Sequence, residues 1–133
     1  MANVHQRTRS DHATEIAEDY VEAIAEFIDR NAICRANDLV QLFNVTHATV
    51  NNTVSRLVRD GYVTTEPYQP LKLTSKGRTL ARKCHERHAV VKAFLLAIGV
   101  SEATAVADSE GIEHHVSSET LKAMQRLLTS RGC

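Results

Sequence analysis

The sequence predicts a mostly α-helical fold, and three observations carry that expectation. Apolar residues recur at spacings of three and four along most of the chain. Of 133 residues 43% are apolar but only 5% are aromatic and tryptophan is absent, so the core is of Ala, Val and Leu, which suits packed helices. The single strand-like stretch is short and interrupted by Pro67 and Pro70.

Residues 1–11 are polar and are expected to form a flexible N-terminus. From about His12 to Asn31 the positions Ile16, Tyr20, Ala23, Ile24, Phe27 and Ile28 mark an amphipathic helix. The segment Arg35 to Phe43 has the pattern of a second, short helix. A turn at Asn44-Val45-Thr46 follows, with Thr46 as N-cap of a third helix from about His47 to Arg59. Its inward residues are expected to be Val50, Val54, Leu57 and Val58. Gly61 suits the left-handed position that ends it. Tyr62–Glu66 and Leu71–Thr74 read as two strands joined by Pro67-Tyr68-Gln69-Pro70, a stiff tip. Helix, short helix, turn, helix and hairpin in that order predict a winged helix-turn-helix domain over residues 12–74.

Residues 75–133 are expected to hold a linking helix to about Ile98, closed by Gly99, and then two helices near 102–115 and 118–130. Ser101 caps the first of these, and Ser117 or Ser118 the second. The run Ala89 to Ile98 is nearly all apolar, more than a small domain can bury, so a helical dimerisation region and a homodimer are expected.

Net charge is zero, but it is unevenly placed. Between residues 47 and 83, Arg56, Arg59, Lys72, Lys76, Arg78, Arg82 and Lys83 face only Asp60 and Glu66. Between residues 11 and 29, Asp11, Glu15, Glu18, Asp19, Glu22, Glu26 and Asp29 occur with no Lys or Arg. In a helix-turn-helix the second helix enters the major groove. The candidate DNA-binding residues are therefore Thr46, His47, Thr49, Asn51, Asn52, Ser55, Arg56 and Arg59, with Lys72, Lys76 and Arg78 holding the flanking backbone. Asn can pair adenine, and Arg suits guanine or phosphate.

The segment Glu110-Gly111-Ile112-Glu113-His114-His115 sets two carboxylates and an imidazole at i, i+3 and i+4. On a helix these share one face and can converge on a cation. Asp19 and Glu22, one turn apart on the first helix, and His88 are candidates for the opposite side. Oxygen-rich ligation with one or two imidazoles suits Mn(II) or Fe(II) better than a thiolate-seeking metal. Gly111 weakens a helix, which predicts a backbone break or a close approach there, with a carbonyl near Glu110 as a further donor.

Other classes fit poorly. Cys34, Cys84 and Cys133 are widely spaced and read as free thiols, with Cys133 exposed. No apolar run approaches the roughly 18 residues of a membrane span, and no secretory signal begins the chain, so a cytoplasmic protein is expected. Without HExxH, a phosphate-binding glycine loop or a nucleophile elbow, no enzyme and no small organic ligand are expected.

Together these residues resemble the diphtheria-toxin-repressor family of metal-dependent transcription regulators, in particular its small manganese transport regulators. The likeness runs from about His12 onward through Asp19-Tyr20-Val21-Glu22, Leu73-Thr74-Ser75-Lys76-Gly77, Arg87-His88, Phe94-Leu95, Ile98-Gly99-Val100 and Glu110 to His115. The resemblance implies that Asp19, Glu22, His88, Glu110, Glu113 and His114 ligate two Mn(II) ions per subunit, with Glu110 and Glu113 serving both. Iron-responsive relatives carry Met where this chain has Asp19 and Cys where it has Glu110. They also have ancillary ligands where it has Lys92 and Val106, so manganese is favoured and Fe(II) is the alternative. The resemblance further implies repression of manganese uptake genes through a palindromic double-stranded operator, and no SH3-like domain.

Overall fold

The computed structural model describes residues 4–131, with side chains from residue 13 onward. The thiol expected at Cys133 lies outside the described residues, as do residues 1–3 of the expected flexible N-terminus. The elements are α1 (Val4–Asn31), α2 (Ala36–Phe43), α3 (His47–Arg59), β1 (Val63–Thr64), β2 (Lys72–Leu73), α4 (Ser75–Ala97), α5 (Glu102–Ile112) and α6 (Ser118–Ser130). No helix among the described residues is long and apolar enough to cross a membrane.

Helix α1 starts at Val4, so residues 4–11, expected to be flexible, are helical. The physical reason is propagation. No Gly or Pro interrupts Val4–Asn31, and extending a nucleated helix through polar residues is far easier than starting one. Two compact units divide within α4: residues 12–82, and residues 83–131 together with 4–11.

The unit of residues 12–82 has one core, built by Tyr20, Val21, Ala23 and Ile24 of α1, Leu39 of α2, Val50, Val54 and Leu57 of α3, and Val63, Leu71 and Leu73 of the hairpin. The Tyr20 and Phe43 rings stack with centroids 4.7 Å apart, joining α1 to α2. On α3 the inward stripe is Val50, Thr53, Val54 and Leu57. Val58, expected inside, is exposed, because it lies one position round from that i, i+3, i+4, i+7 series. Asn44 ends α2 in the left-handed conformation at φ 54°. Thr46 then caps α3, its Oγ1 accepting from the Thr49 amide at 3.1 Å. Gly61 leaves α3 at φ +85°.

The hairpin is antiparallel, pairing Val63 with Leu73 and Thr64 with Lys72. The Leu71 amide donates to the Cys34 carbonyl at 2.8 Å, which ties the hairpin to the α1–α2 link. Gly77 in the first turns of α4 is buried where a Cβ would collide with the Tyr62 carbonyl oxygen.

In the second unit Gly99 closes α4 at φ +101°. Ser117 caps α6 by accepting from the Thr120 amide at 3.1 Å, whereas Ser101 stands at the N-cap of α5 without a side-chain cap bond. Helix α5 ends at Ile112, short of the expected residue 115, and the chain then tightens: the amides of His114 and His115 donate three residues back, to Gly111 and Ile112. Among the described side chains of this unit few are fully buried, while Leu96, Ile98, Val106, Ile112 and Leu127 are exposed. A helical unit with so little core and so much exposed apolar surface is suited to a partner.

Candidate metal centre and nucleic-acid interface

Three of the six expected ligands come together within the second unit. A ligand nitrogen of His88 on α4 and carboxylate oxygens of Glu110 and Glu113 at the end of α5 lie within 4.8 Å of one another. His88 Nδ1 is 3.7 Å from Glu110 Oε1. His114 stands beside them, its Nε2 3.4 Å from Glu113 Oε1, and both of those side chains are fully buried. Glu113 is 1% exposed as a residue, and a carboxylate withdrawn from water to that degree needs charged or hydrogen-bonding company. Nitrogen and oxygen donors at this separation suit a hard or borderline divalent ion and fit the metal that the sequence implied.

The expected i, i+3, i+4 face exists. Glu110 is still helical, Glu113 is the C-cap in right-handed helical geometry, and His114 follows in the tightened turn. Gly111 does not break the backbone, and a Cβ built on it meets nothing within 4 Å. Among the described residues nothing makes the expected close approach to Gly111. Gly111→Ala is expected to raise stability by about 0.5–1 kcal/mol, the helix preference of Ala over Gly, and to leave metal affinity unchanged. Thermal unfolding and calorimetry of the variant check both parts.

One contributor escaped the sequence reading. Ser109, fully buried, places its Oγ 3.3 Å from His88 Nδ1 and donates to the Val106 carbonyl at 3.0 Å. It lies against the imidazole from α5, beside the nitrogen that faces Glu110. Its only signal in the sequence was its place beside Glu110 and one turn before Glu113. Asp19 and Glu22 lie one turn apart on α1 in the other unit, both half-buried. Of the cysteines, Cys34 is buried, and that burial followed by nearby Asp38 pushes its thiol up to about 12, which makes it unreactive at neutral pH.

On α3, Thr46, His47, Thr49, Asn51, Asn52, Ser55, Arg56 and Arg59 are all exposed, as is Lys72 on β2. They do not have equal freedom. Thr46 and Thr49 are joined at the cap, their hydroxyls 3.0 Å apart, and Arg59 Nε donates to Asp60 Oδ1 at 3.2 Å. His47, Asn51, Asn52, Ser55 and Arg56 make no side-chain hydrogen bond among the described residues and are open to a ligand. Two of the residues expected to hold flanking DNA at the base of the hairpin also bond within the chain. Arg78 donates to the Leu73 carbonyl at 2.9 Å and to Ser75 Oγ at 3.3 Å. Lys76 donates to the Asp60 carbonyl at 2.8 Å and lies over the Tyr62 ring. Sequence alone showed their charge but not these carbonyl acceptors.

Comparison with known proteins agrees with both halves. Residues 12–71 match the N-terminal DNA binding domain of the iron dependent repressors, and residues 74–131 match their metal binding and dimerisation domain. The transcriptional regulator MntR of Escherichia coli O6:H1 is 39% identical over 126 residues, covering 95% of this chain and 81% of that protein. The chain belongs to the diphtheria-toxin-repressor family, the iron-dependent repressors. As a member of that family it has a DNA-binding domain and a dimerisation domain, and the exposed apolar side chains of α4, α5 and α6 are surface that a dimer can cover. The MntR of Salmonella typhimurium is 37% identical over 127 residues, covering 96% of this chain and 81% of that protein. Among solved structures, that of the manganese regulator SloR superposes with a TM-score of 0.74 at 23% identity, over 85% of this chain and 53% of that one. This chain thus spans about half the length of that regulator.

Proposed function

We propose that this family member is a manganese-activated repressor that binds a palindromic double-stranded operator as a homodimer in the cytoplasm. The observation that carries the reading is the convergence of His88, Glu110 and Glu113, with a carboxylate at Glu110 and no sulfur donor in the cluster. Lys92 Nζ, 3.9 Å from Glu102 Oε1, adds a cation where the resemblance gives iron-responsive relatives an ancillary ligand.

The proposed ligands are Asp19, Glu22, His88, Glu110, Glu113 and His114, holding two Mn(II) ions per subunit with Glu110 and Glu113 shared. Bound divalent ions supply positive charge that offsets repulsion among four carboxylates. With that repulsion offset, Asp19 and Glu22 of the DNA-binding unit can share a site with the α4 and α5 residues. The two α3 helices of the dimer then hold one spacing, which an operator with two-fold symmetry matches. Asn51, Asn52, Ser55 and Arg56, aided by His47, read the groove, and Lys72 contacts phosphate.

The reading is tested by operator occupancy at buffered free Mn(II) and, anaerobically, Fe(II). Half-saturation at physiological free Mn(II), with Fe(II) ineffective at its own cellular level, supports manganese. The reverse order makes iron the signal. Within the same surface, Arg56→Ala is expected to cost about 1–3 kcal/mol of operator binding and to relax discrimination at one base position. Fluorescence anisotropy on operators substituted base by base checks it.

A further inference from the structure

We infer that Thr74 and Lys76 form a clamp that positions the operator-reading helix α3 on the first turn of α4, and that Lys76 acts there as a positioning residue. This rests on the function proposed above and adds to it a means of orienting the reading helix.

Three successive carbonyls follow α3, and each is taken by a residue at the start of α4. The Asp60 oxygen accepts from Lys76 Nζ at 2.8 Å, and the Gly61 oxygen accepts from Thr74 Oγ1 at 2.6 Å. The Tyr62 oxygen accepts from the Thr74 amide at 3.0 Å. Thr74 Oγ1 also accepts from the Gly77 amide at 3.0 Å, which caps α4 with the same hydroxyl that holds Gly61.

The ammonium of Lys76 lies 4.5 Å from the centroid of the Tyr62 ring, so one cation binds both a helix-end carbonyl and an aromatic face. Gly77 allows the approach, since any side chain there would meet Tyr62 backbone. Gly61 makes the turn possible at φ +85°. Without these donors the carbonyls of 60–62 would turn to water, and the end of α3 would be placed only by its own backbone bonds and the packing of Leu57. Tied in three places, it moves with the first turn of α4.

A lysine on this surface has an obvious competing role as a phosphate contact, and the two roles respond differently to salt. A phosphate contact contributes about 0.9 to the salt slope per site and weakens specific and non-specific DNA binding alike. A clamp carries no such signature. It affects only the operator, where α3 must be placed accurately, and an uncharged member of the clamp must matter as well.

The test uses the full chain with saturating Mn(II), comparing wild type, Lys76→Met, Thr74→Val and Thr74→Ser. Operator affinity, affinity for a non-specific duplex, the salt slope and Mn(II) affinity by calorimetry are measured, with helix content by circular dichroism as the folding control. The expected result is a loss of operator affinity of roughly five- to tenfold for Lys76→Met and Thr74→Val. Non-specific affinity, salt slope and Mn(II) affinity should stay at wild-type values, and Thr74→Ser should restore operator binding. The inference is overturned if Lys76→Met lowers the slope by about one per subunit and weakens both duplexes while Thr74→Val behaves as wild type. It is equally overturned if neither variant changes operator affinity. Absence of Mn(II)-dependent operator binding by the wild type would instead count against the proposed function.

Discussion

Glu113→Gln is expected to lower Mn(II) affinity on the order of 100-fold and to remove metal-dependent operator binding at physiological free manganese. Replacing partners one shell out from a metal costs roughly 10–100-fold, and a shared direct ligand belongs at or beyond the upper end of that range. The substitution keeps the shape of a side chain that is fully buried, so packing is preserved while the charge is lost. The Glu113 carboxylate lies with His88 and Glu110 on one side and His114 Nε2 at 3.4 Å on the other, so its loss touches donors from both α4 and the end of α5. Calorimetric titration of Mn(II) reads the affinity directly. Wild-type affinity in this variant would remove Glu113 from the ligand set.

Gly77→Ala is expected to destabilise the DNA-binding unit by about 3 kcal/mol, the upper part of the range for overpacking a filled site. The colliding atom is a backbone carbonyl oxygen, not the tip of a flexible side chain, with the Leu73 side chain close behind it. Relief therefore requires α4 to move away from Tyr62, and the hydrogen bonds from Thr74 and Lys76 to residues 60–62 weaken with it. The midpoint of thermal unfolding should fall by roughly 12–24 °C for a domain of this size. A midpoint within a degree of wild type would show that the helix yields without cost. The contrast with Gly111→Ala, where an added methyl meets nothing, separates the two glycines.

Much of this architecture was legible in the sequence because the relevant signals are local. Thr46 as a cap and Gly61 and Gly99 as left-handed stops depend on a few adjacent residues and are found where they were expected, while the two strands flanking Pro67 and Pro70 pair only over Val63–Thr64 and Lys72–Leu73, shorter than the expected Tyr62–Glu66 and Leu71–Thr74. The exceptions were of three kinds. Val58 was misplaced and Thr53 overlooked because the stripe was weighed by apolarity, and a threonine on the inward face packs as well as a valine one position off it. Residues 4–11 gave no apolar pattern, yet helix propagation needs none.

The site shows the third kind. The spacing of Glu110, Glu113 and His114 was visible, and so was His88 as an isolated candidate. Ser109 was invisible because its role arises from a contact between α4 and α5, 21 residues apart. The charge of Lys76 and Arg78 was visible because charge is a property of the sequence. Their acceptors, the Asp60 and Leu73 carbonyls, are a property of the folded turn and hairpin.

Metal-dependent recognition of the operator by the dimer is the property on which the proposed switch depends. Titrating a labelled operator with the chain at buffered free Mn(II), and again with chelator, should show specific binding at least 100-fold tighter with the ion, a coupling of about 3 kcal/mol. Equal operator affinity in the two titrations would contradict it.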